Sequence, residues 1–187
     1  GMAYLEAYEL LGEDYLLKAA RDAAECLIRG QLRTGGWRES VEFDPKERRK
    51  FAYRVEKERE RQNNHTTFDD DKTQSAMRLL MRLDQALKFK DEKLHEASLF
   101  ALDSVVKAQF PNGGWGQGYD SFPNPEDYPV KPASYPESWS RTYPGGKYWY
   151  FYTLNDNAMA DTIDALLMAG KIYGEPKYRN AALKGGE

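Results

Sequence analysis

Two short clusters of acidic and amide side chains are the residues that could bind a cation or polarise a substrate. Residues 67–71 are Thr-Phe-Asp-Asp-Asp, and residues 153–157 are Thr-Leu-Asn-Asp-Asn. Carboxylate and amide oxygens are the ligands that Ca²⁺ prefers in proteins. The alternative is structural, because Asp and Asn are favoured caps at helix starts, where negative charge also complements the helix dipole. Since both clusters follow a long loop, the sequence favours neither interpretation.

The segments that would position these clusters repeat along the chain. Residues 12–37 and 90–115 align without a gap at an offset of 78, and a third copy begins at Gly174, a further 84 residues along. Each copy places apolar residues at the i, i+3, i+4, i+7 spacing of one helix face. The faces consist of Leu16, Ala19, Ala20, Ala23 and Leu27, then Leu94, Ala97, Ser98, Ala101 and Val105, then Tyr178, Ala181 and Ala182.

A further apolar helix precedes each copy, which indicates one helical hairpin per repeat. The hairpins are predicted near residues 3–37, 74–115 and 158–187, with short turns inside them and long loops after the first two. The alternating pattern of strands is not sustained outside the aromatic run near residues 148–153. We therefore predict an all-α fold, one domain over residues 1–187 whose third hairpin stops short of completion.

The two long loops differ sharply in composition, and loops of this length inside a compact domain are uncommon unless functional or disordered. The first, residues 38–67, is densely charged and is expected to form a solvated helix or a mobile flap. The second, residues 116–154, is rich in proline and aromatic residues. Trp115, Gln117 and Trp139 are therefore candidates to face a ligand. For Trp115, simple coverage of the bundle end after a glycine-terminated helix is the structural alternative.

Composition and single residues exclude several classes of function. The net charge of −3 argues against a nucleic-acid binder, and no apolar run reaches the roughly 20 residues that a membrane-spanning helix needs. Cys26 is the single cysteine, which excludes an internal disulfide and a cysteine-based zinc site. His95 occupies a polar helix position and is expected at the surface. His65 lies four residues before Asp69, close enough to line a site, although catalysis by it is the less favoured interpretation.

Four phrases, in order along the chain, resemble the family 10 pectate lyases. They are Gly35-Gly36-Trp37, the run from Thr66 to Thr73, the run from Gln109 to Trp115 and the run from Thr153 to Met159. The resemblance covers about residues 32–173. It implies an incomplete α/α toroid with long loops at one end, which cleaves polygalacturonate or a related acidic polysaccharide by calcium-assisted β-elimination.

The resemblance also implies where the site lies. Asp69, Asp70 and Asp156 are expected to coordinate Ca²⁺, at least when substrate is bound. Asp69 takes the place of the family's first acid, but Asp70 and Lys72 stand where the family has asparagine and alanine, so the sequence leaves open which acid lies in the site. The substrate-binding residues are expected to be Lys72, Trp115, Gln117, Trp139 and Asn155.

The environment and partners follow from the same resemblance. We expect an extracellular or periplasmic protein, although the chain begins without a signal peptide. An acidic polysaccharide is the expected partner, with no nucleic acid and no membrane, and the sequence implies no particular oligomeric state.

The sequence does not identify a catalytic base. The family's implied base is an arginine well beyond the Asn-Asp motif, in a stretch that this sequence lacks, and Arg141 is a weak internal candidate. Two alternatives therefore stand beside a lyase. One is a non-catalytic or truncated module that binds acidic glycans. The other is a terpenoid-cyclase-like α-toroid, because Gln-x-x-x-Gly-x-Trp repeats of that class match residues 31–37 and 109–115.

Overall fold

Six α-helices form three hairpins in the computed structural model, which describes residues 1–131, 137–138, 142, 148–150 and 156–186. The pairs are α1 (Met2–Leu11) with α2 (Asp14–Gly30), α3 (Lys72–Ala86) with α4 (Glu92–Lys107), and α5 (Ala158–Tyr173) with α6 (Pro176–Gly186). Gly12 and Gly174 end α1 and α5 at φ 73° and 69°, in the left-handed conformation that commonly terminates helices. The prediction of a mostly helical fold built from hairpins is confirmed for these residues.

The helices lie in two layers with the core between them. α3 packs against α5 in one layer, and α4 lies between α2 and α6 in the other. Every helix contributes buried side chains to one continuous core, for example Leu5, Ala20, Leu80, Ala101, Leu166 and Ala182. None of the helices in the described part of the chain is long and apolar enough to span a membrane.

The predicted helix faces are buried to different extents. All five face residues of α4 are buried, and so are the three predicted in α6. In α2 only Leu16 and Ala20 of the predicted five are buried, and the buried stripe continues through Ala24 and Ile28. These buried residues of α2 are thus spaced four apart along one stripe.

The two Gln-x-x-x-Gly-Gly-Trp turns have the same hydrogen bonds. Gln31 Nε2 donates to the first glycine of its turn at 3.0 Å and to the Ala97 carbonyl of α4 at 2.9 Å. Gln109 Nε2 donates to the corresponding glycine at 2.8 Å and to the Ala181 carbonyl of α6 at 2.8 Å. That glycine has φ 96° in the first turn and 93° in the second, where other residues are strained. Each turn therefore attaches its own hairpin to the second helix of the next hairpin.

The tryptophan that closes each turn belongs to the core. Trp37 Nε1 donates to the Leu27 carbonyl and Trp115 Nε1 to the Val105 carbonyl, both at 2.8 Å. Each side chain is only 2% exposed. This burial corrects the expectation that Trp115 offers a ring face to substrate, and it supports the structural interpretation for both copies.

The first long loop is organised by a buried arginine. Arg48, in the short 3₁₀ turn Glu47–Lys50, donates to the carbonyls of Glu42 at 2.6 Å and Arg29 at 2.8 Å, and pairs with Glu56 at 2.9 Å. Of the expected solvated helix the structure has only this 3₁₀ turn, in which Arg48 is buried and the other residues are exposed. The charged run was misinterpreted because a buried arginine that satisfies backbone carbonyls has the same sequence signature as an exposed one.

A two-stranded antiparallel ribbon joins the end of the first long loop to the start of the second. Strand β1 (Thr66–Thr67) pairs with β2 (Gly118–Tyr119), with Thr66 opposite Tyr119 and Thr67 opposite Gly118. Strands this short carry no periodic signal, so the sequence did not predict them. The ribbon places the residues before the first acidic cluster beside those that follow the second tryptophan turn.

Candidate functional site

The two acidic clusters begin helices at the same end of the molecule. Gln74, buried in the first turn of α3, donates from Nε2 to the Phe68 carbonyl at 2.9 Å. The same nitrogen lies 3.3 Å from both the Ala158 carbonyl and Thr162 Oγ1 in the first turn of α5. The expectation that the two helix starts are neighbours is confirmed.

Capping does not account for these clusters. Asp71 and Asn157 occupy the cap positions of α3 and α5, yet neither side chain makes a capping hydrogen bond. Asp70, Asp71 and Asp156 have φ values of 49°, 59° and 47°. Left-handed backbone is uncommon for residues other than glycine, and strain of this kind concentrates at functional sites. Asp70, Asp71 and Asp156 therefore share a left-handed backbone conformation that capping does not require.

The first tryptophan turn fixes both ends of the first cluster. Gly36 N donates to Thr66 Oγ1 and Trp37 N to Thr73 Oγ1, each at 3.1 Å, while Thr67 N donates to the Trp37 carbonyl at 3.0 Å. A Cβ at Gly36 would meet Thr66 Cγ2 at 2.3 Å, so only glycine permits this approach. The turn thus positions the segment that carries the acids.

A cavity of about 240 Å³ opens beside that segment. Its lining residues are His65, Thr67, Asp69, Gln117 and Trp149. Gln117 Nε2 donates to Asp69 Oδ1 at 2.5 Å, which ties the predicted metal-binding acid to a predicted substrate-binding residue. The Asp69 side chain is 37% exposed, so a ligand can reach it.

The structure distinguishes the adjacent acids of the first cluster. Asp69 lines the cavity, whereas Asp70 is 77% exposed and is not among the lining residues. Lys72 Nζ lies 3.0 Å from Asp70 Oδ2 and 3.7 Å from Asp69 Oδ2. Partial burial by itself lowers the pKa of Lys72, but the hydrogen bond to Asp70 and the negative charges nearby outweigh it and raise that pKa. The lysine is therefore a firmly charged partner of both acids.

The described residues alone do not complete a metal site. No group of three or more His, Cys, Asp or Glu side chains that could hold a metal ion occurs among them. Asp71 pairs with Arg78 instead of facing the cavity, and Asp156 is exposed outside the cavity lining. Asp69 and Asp70 supply two carboxylates, fewer than the six to eight oxygens that Ca²⁺ takes. The donor chemistry suits calcium only if other oxygens join and the Lys72 ammonium moves aside.

Three predicted site residues, Trp139, Arg141 and Asn155, lie outside the described residues. Two others that line the cavity were not predicted, namely Thr67 and Trp149. Trp149 lies in the aromatic run, and composition identified that run without indicating which ring meets the acids.

A second cavity, of about 310 Å³, lies next to the first. Asp120 and Tyr150 are part of its lining, and both contact His65 of the first cavity. Aromatic rings form other parts of the wall, including those of Phe122 and Tyr128. The aromatic loop therefore contributes surface to a pair of adjoining cavities.

Comparison with known proteins gives a family match and a shared fold. The family model for pectic acid lyase matches residues 31–185. Two solved structures share the fold, a family 10 polysaccharide lyase from Cellvibrio cellulosa and a mutant of the family 10 lyase from that organism in complex with trigalaturonic acid. Each is 20% identical with a TM-score of 0.56, and the alignments cover 90% of this chain but 46% and 47% of theirs. This chain thus spans about half the length of those structures, and no curated protein matches it. On the family match, the chain belongs to the pectic acid lyase family.

Proposed function

We propose that this chain carries part of the active site of a lyase that cleaves polygalacturonate, or a related acidic polysaccharide, by β-elimination. The observation that carries the proposal is the cavity in which Asp69, at the position implied by the family resemblance, is hydrogen-bonded to Gln117. In such a reaction the proton on C5 of the uronate leaves, a C4–C5 double bond forms and the C4–O4 bond breaks. The catalytic base is left unassigned in this proposal.

Calcium is the cofactor that we propose, with Asp69 as its main protein ligand and Asp70 and Asp156 as further carboxylates. When bound, the ion would offset charge that develops on the substrate carboxylate. Lys72 Nζ lies 3.7 Å from the Asp69 carboxylate. Its ammonium group would pair with the substrate carboxylate beside these acids, which is its proposed substrate-binding role.

Wider features of the family complete the proposal. The three hairpins are inferred to be part of an α/α toroid, and the protein is inferred to be secreted, in keeping with an extracellular polymer as substrate. Gln117 is proposed to bind substrate from the cavity wall, and Asn155 and Trp139 retain their proposed roles as substrate-binding residues.

A non-catalytic glycan-binding module is the second candidate, because the adjoining cavities and their aromatic walls suit binding whether or not a base is present. The terpenoid-cyclase alternative loses its main support. In both copies the glutamine and tryptophan of the repeat make structural hydrogen bonds, which do not indicate any particular chemistry.

The test measures absorbance of unsaturated product from polygalacturonate with calcium, and again with a chelator. We expect turnover only with calcium, and a loss of at least roughly 100-fold in kcat/KM for Asp69→Ala, because removing a group that merely orients the metal ligands already costs about 10- to 100-fold. Asp22→Ala is the control, because Asp22 is an exposed acid paired only with Lys18 in the described structure. Activity that survives chelation and Asp69→Ala contradicts the proposal. Binding of trigalacturonate without turnover supports the second candidate.

A further inference from the structure

His65 and Asp120 form a hydrogen-bonded pair at the junction of the two cavities. His65 Nδ1 lies 2.8 Å from Asp120 Oδ1. The Tyr150 hydroxyl donates to the other oxygen, Oδ2, at 2.7 Å, and this hydrogen bond raises the pKa of Tyr150. The tyrosine therefore stays a donor, and both oxygens of Asp120 are engaged.

The imidazole ring is held from several sides. The His65 backbone N–H donates to Asn63 Oδ1 at 3.0 Å. The ring meets that of Tyr150 edge-on, with centroids 5.7 Å apart and an interplanar angle of 81°. A Cβ at Gly118 would lie 2.5 Å from His65 Nε2, so the ring rests where only glycine leaves room. The side chain is 26% exposed, which leaves part of the ring open to the cavity that it lines.

The pair with Asp120 determines which nitrogen of the His65 ring can accept a hydrogen bond. An ionised Asp120 accepts from Nδ1–H, so the neutral imidazole carries its lone pair on Nε2; this tautomer follows from the hydrogen bond rather than from observed hydrogens. Nε2 is then the ring nitrogen that the pair leaves free to accept a hydrogen bond, in a side chain that lines the cavity and is 26% exposed. Asp69 and Gln117 line the same cavity. A sugar hydroxyl could therefore donate to the imidazole nitrogen or to the Asp69 carboxylate, and could accept from the Gln117 amide.

Resting on the proposed function, we propose that His65 is a substrate-binding residue that accepts a hydrogen bond from a hydroxyl group of the uronan at Nε2. Asp120 is its positioning residue, which fixes the tautomer and the ring orientation. The second cavity begins at Asp120, so His65 lies where a sugar chain would pass from one cavity to the other.

The experiment is calorimetric titration of trigalacturonate, with calcium, into the wild-type protein and a set of variants. We expect roughly tenfold weaker binding for His65→Ala, in line with the loss of one buried hydrogen bond and some ring contact. His65→Phe keeps a planar ring but no nitrogen, and it should bind as weakly as the alanine variant. His95→Ala is the matched control, because His95 is also paired with an aspartate but lies outside both cavities.

A double-variant cycle separates positioning from a merely structural role. Asp120→Ala should weaken binding several-fold in the wild-type background and have no further effect in His65→Ala, because it acts through the ring. Additive effects would overturn the positioning role of Asp120. Wild-type affinity in both His65 variants would overturn the inference and leave the proposed function standing. If the wild-type protein binds no trigalacturonate, the proposed function fails and the inference fails with it.

Discussion

The protein contains two histidine–aspartate pairs with the same 2.8 Å contact through Nδ1, but their surroundings are opposite. Asp84, the partner of His95, is completely buried, and its Oδ2 also accepts from the Tyr173 hydroxyl at 2.8 Å. Asp120, the partner of His65, is 49% exposed and lies between two cavities. One pair joins helices α3, α4 and α5, whereas the other joins loop segments at the candidate site.

A histidine–aspartate pair can therefore have a structural role in the core or a functional role at a cavity, and its location decides which. Asp84 lies twelve residues after Lys72 in α3, which places it about 18 Å along the helix axis from the acidic cluster. Ser98 joins the hydrogen-bonded group around Asp84 through a 2.8 Å contact between its Oγ and the Tyr173 hydroxyl. This buried carboxylate connects three helices through Oδ2, while its Oδ1 has no hydrogen-bond partner in the described structure. Neither cavity includes Asp84 among its lining residues.

The largest effect is expected from breaking the buried pair. Asp84→Ala removes an acceptor of two hydrogen bonds from the core and should lower the free energy of unfolding by about 3 kcal/mol. Urea unfolding monitored by circular dichroism measures the loss. Affinity for trigalacturonate, measured where the variant is folded, should stay at the wild-type value. A loss below about 1 kcal/mol would show that this pair is not a structural centre.

A smaller effect, with a characteristic pH dependence, is expected from Tyr173→Phe. Burial, aided by the bond to Asp84, raises the pKa of Tyr173 well above 10.0. The folded state therefore favours the protonated phenol, whose contribution to stability is present below about pH 10 and is lost as the pH rises from there through the folded-state pKa.

The variant should lose about 2 kcal/mol near neutral pH, because the hydrogen bonds of the hydroxyl with Asp84 and with Ser98 are both removed. Its free energy of unfolding should then fall less steeply than that of the wild-type protein as the pH rises above about 10. Unfolding curves across this range give both slopes. Equal slopes would mean that the buried phenol of Tyr173 does not contribute to alkaline destabilisation.

The smallest effect on stability is expected at the second pair. Asp120→Ala should lower the free energy of unfolding by less than about 1 kcal/mol, because exposed pairs contribute little. The same urea experiment measures this value beside Asp84→Ala. If the two variants lose equal stability, the contrast between a structural and a site-forming pair is wrong.

The sequence was sufficient to predict the parts of the molecule that repeat. Period, spacing and the paired tryptophan turns predicted the three hairpins, and the recurrence of an acidic cluster at each helix start correctly placed those starts together. Both inferences depend on local patterns that occur more than once, so each copy supports the other.

Contacts between residues far apart in the chain could not be predicted. His95 was expected at the surface, but Asp84 and Tyr173 hold its ring partly buried; a polar position on a helix has the same pattern whether water or a carboxylate faces it. Trp115 was expected to meet substrate because the aromatic loop follows it, yet its indole N–H bonds to the preceding helix. Asp120 has no periodic or motif signal at all, and only the ribbon that brings β2 to β1 places it beside His65.

The glutamines of the two tryptophan turns have a consequence for how the chain opens. Because Gln31 and Gln109 each donate to a carbonyl in the second helix of the following hairpin, no hairpin can separate from its successor without breaking this hydrogen bond. Nearest-neighbour coupling of this kind makes an array of repeats unfold cooperatively rather than one unit at a time. Fraying of α6 would then break the hydrogen bond between Gln109 and Ala181 and loosen the second tryptophan turn, which leads into the segments that line the cavities.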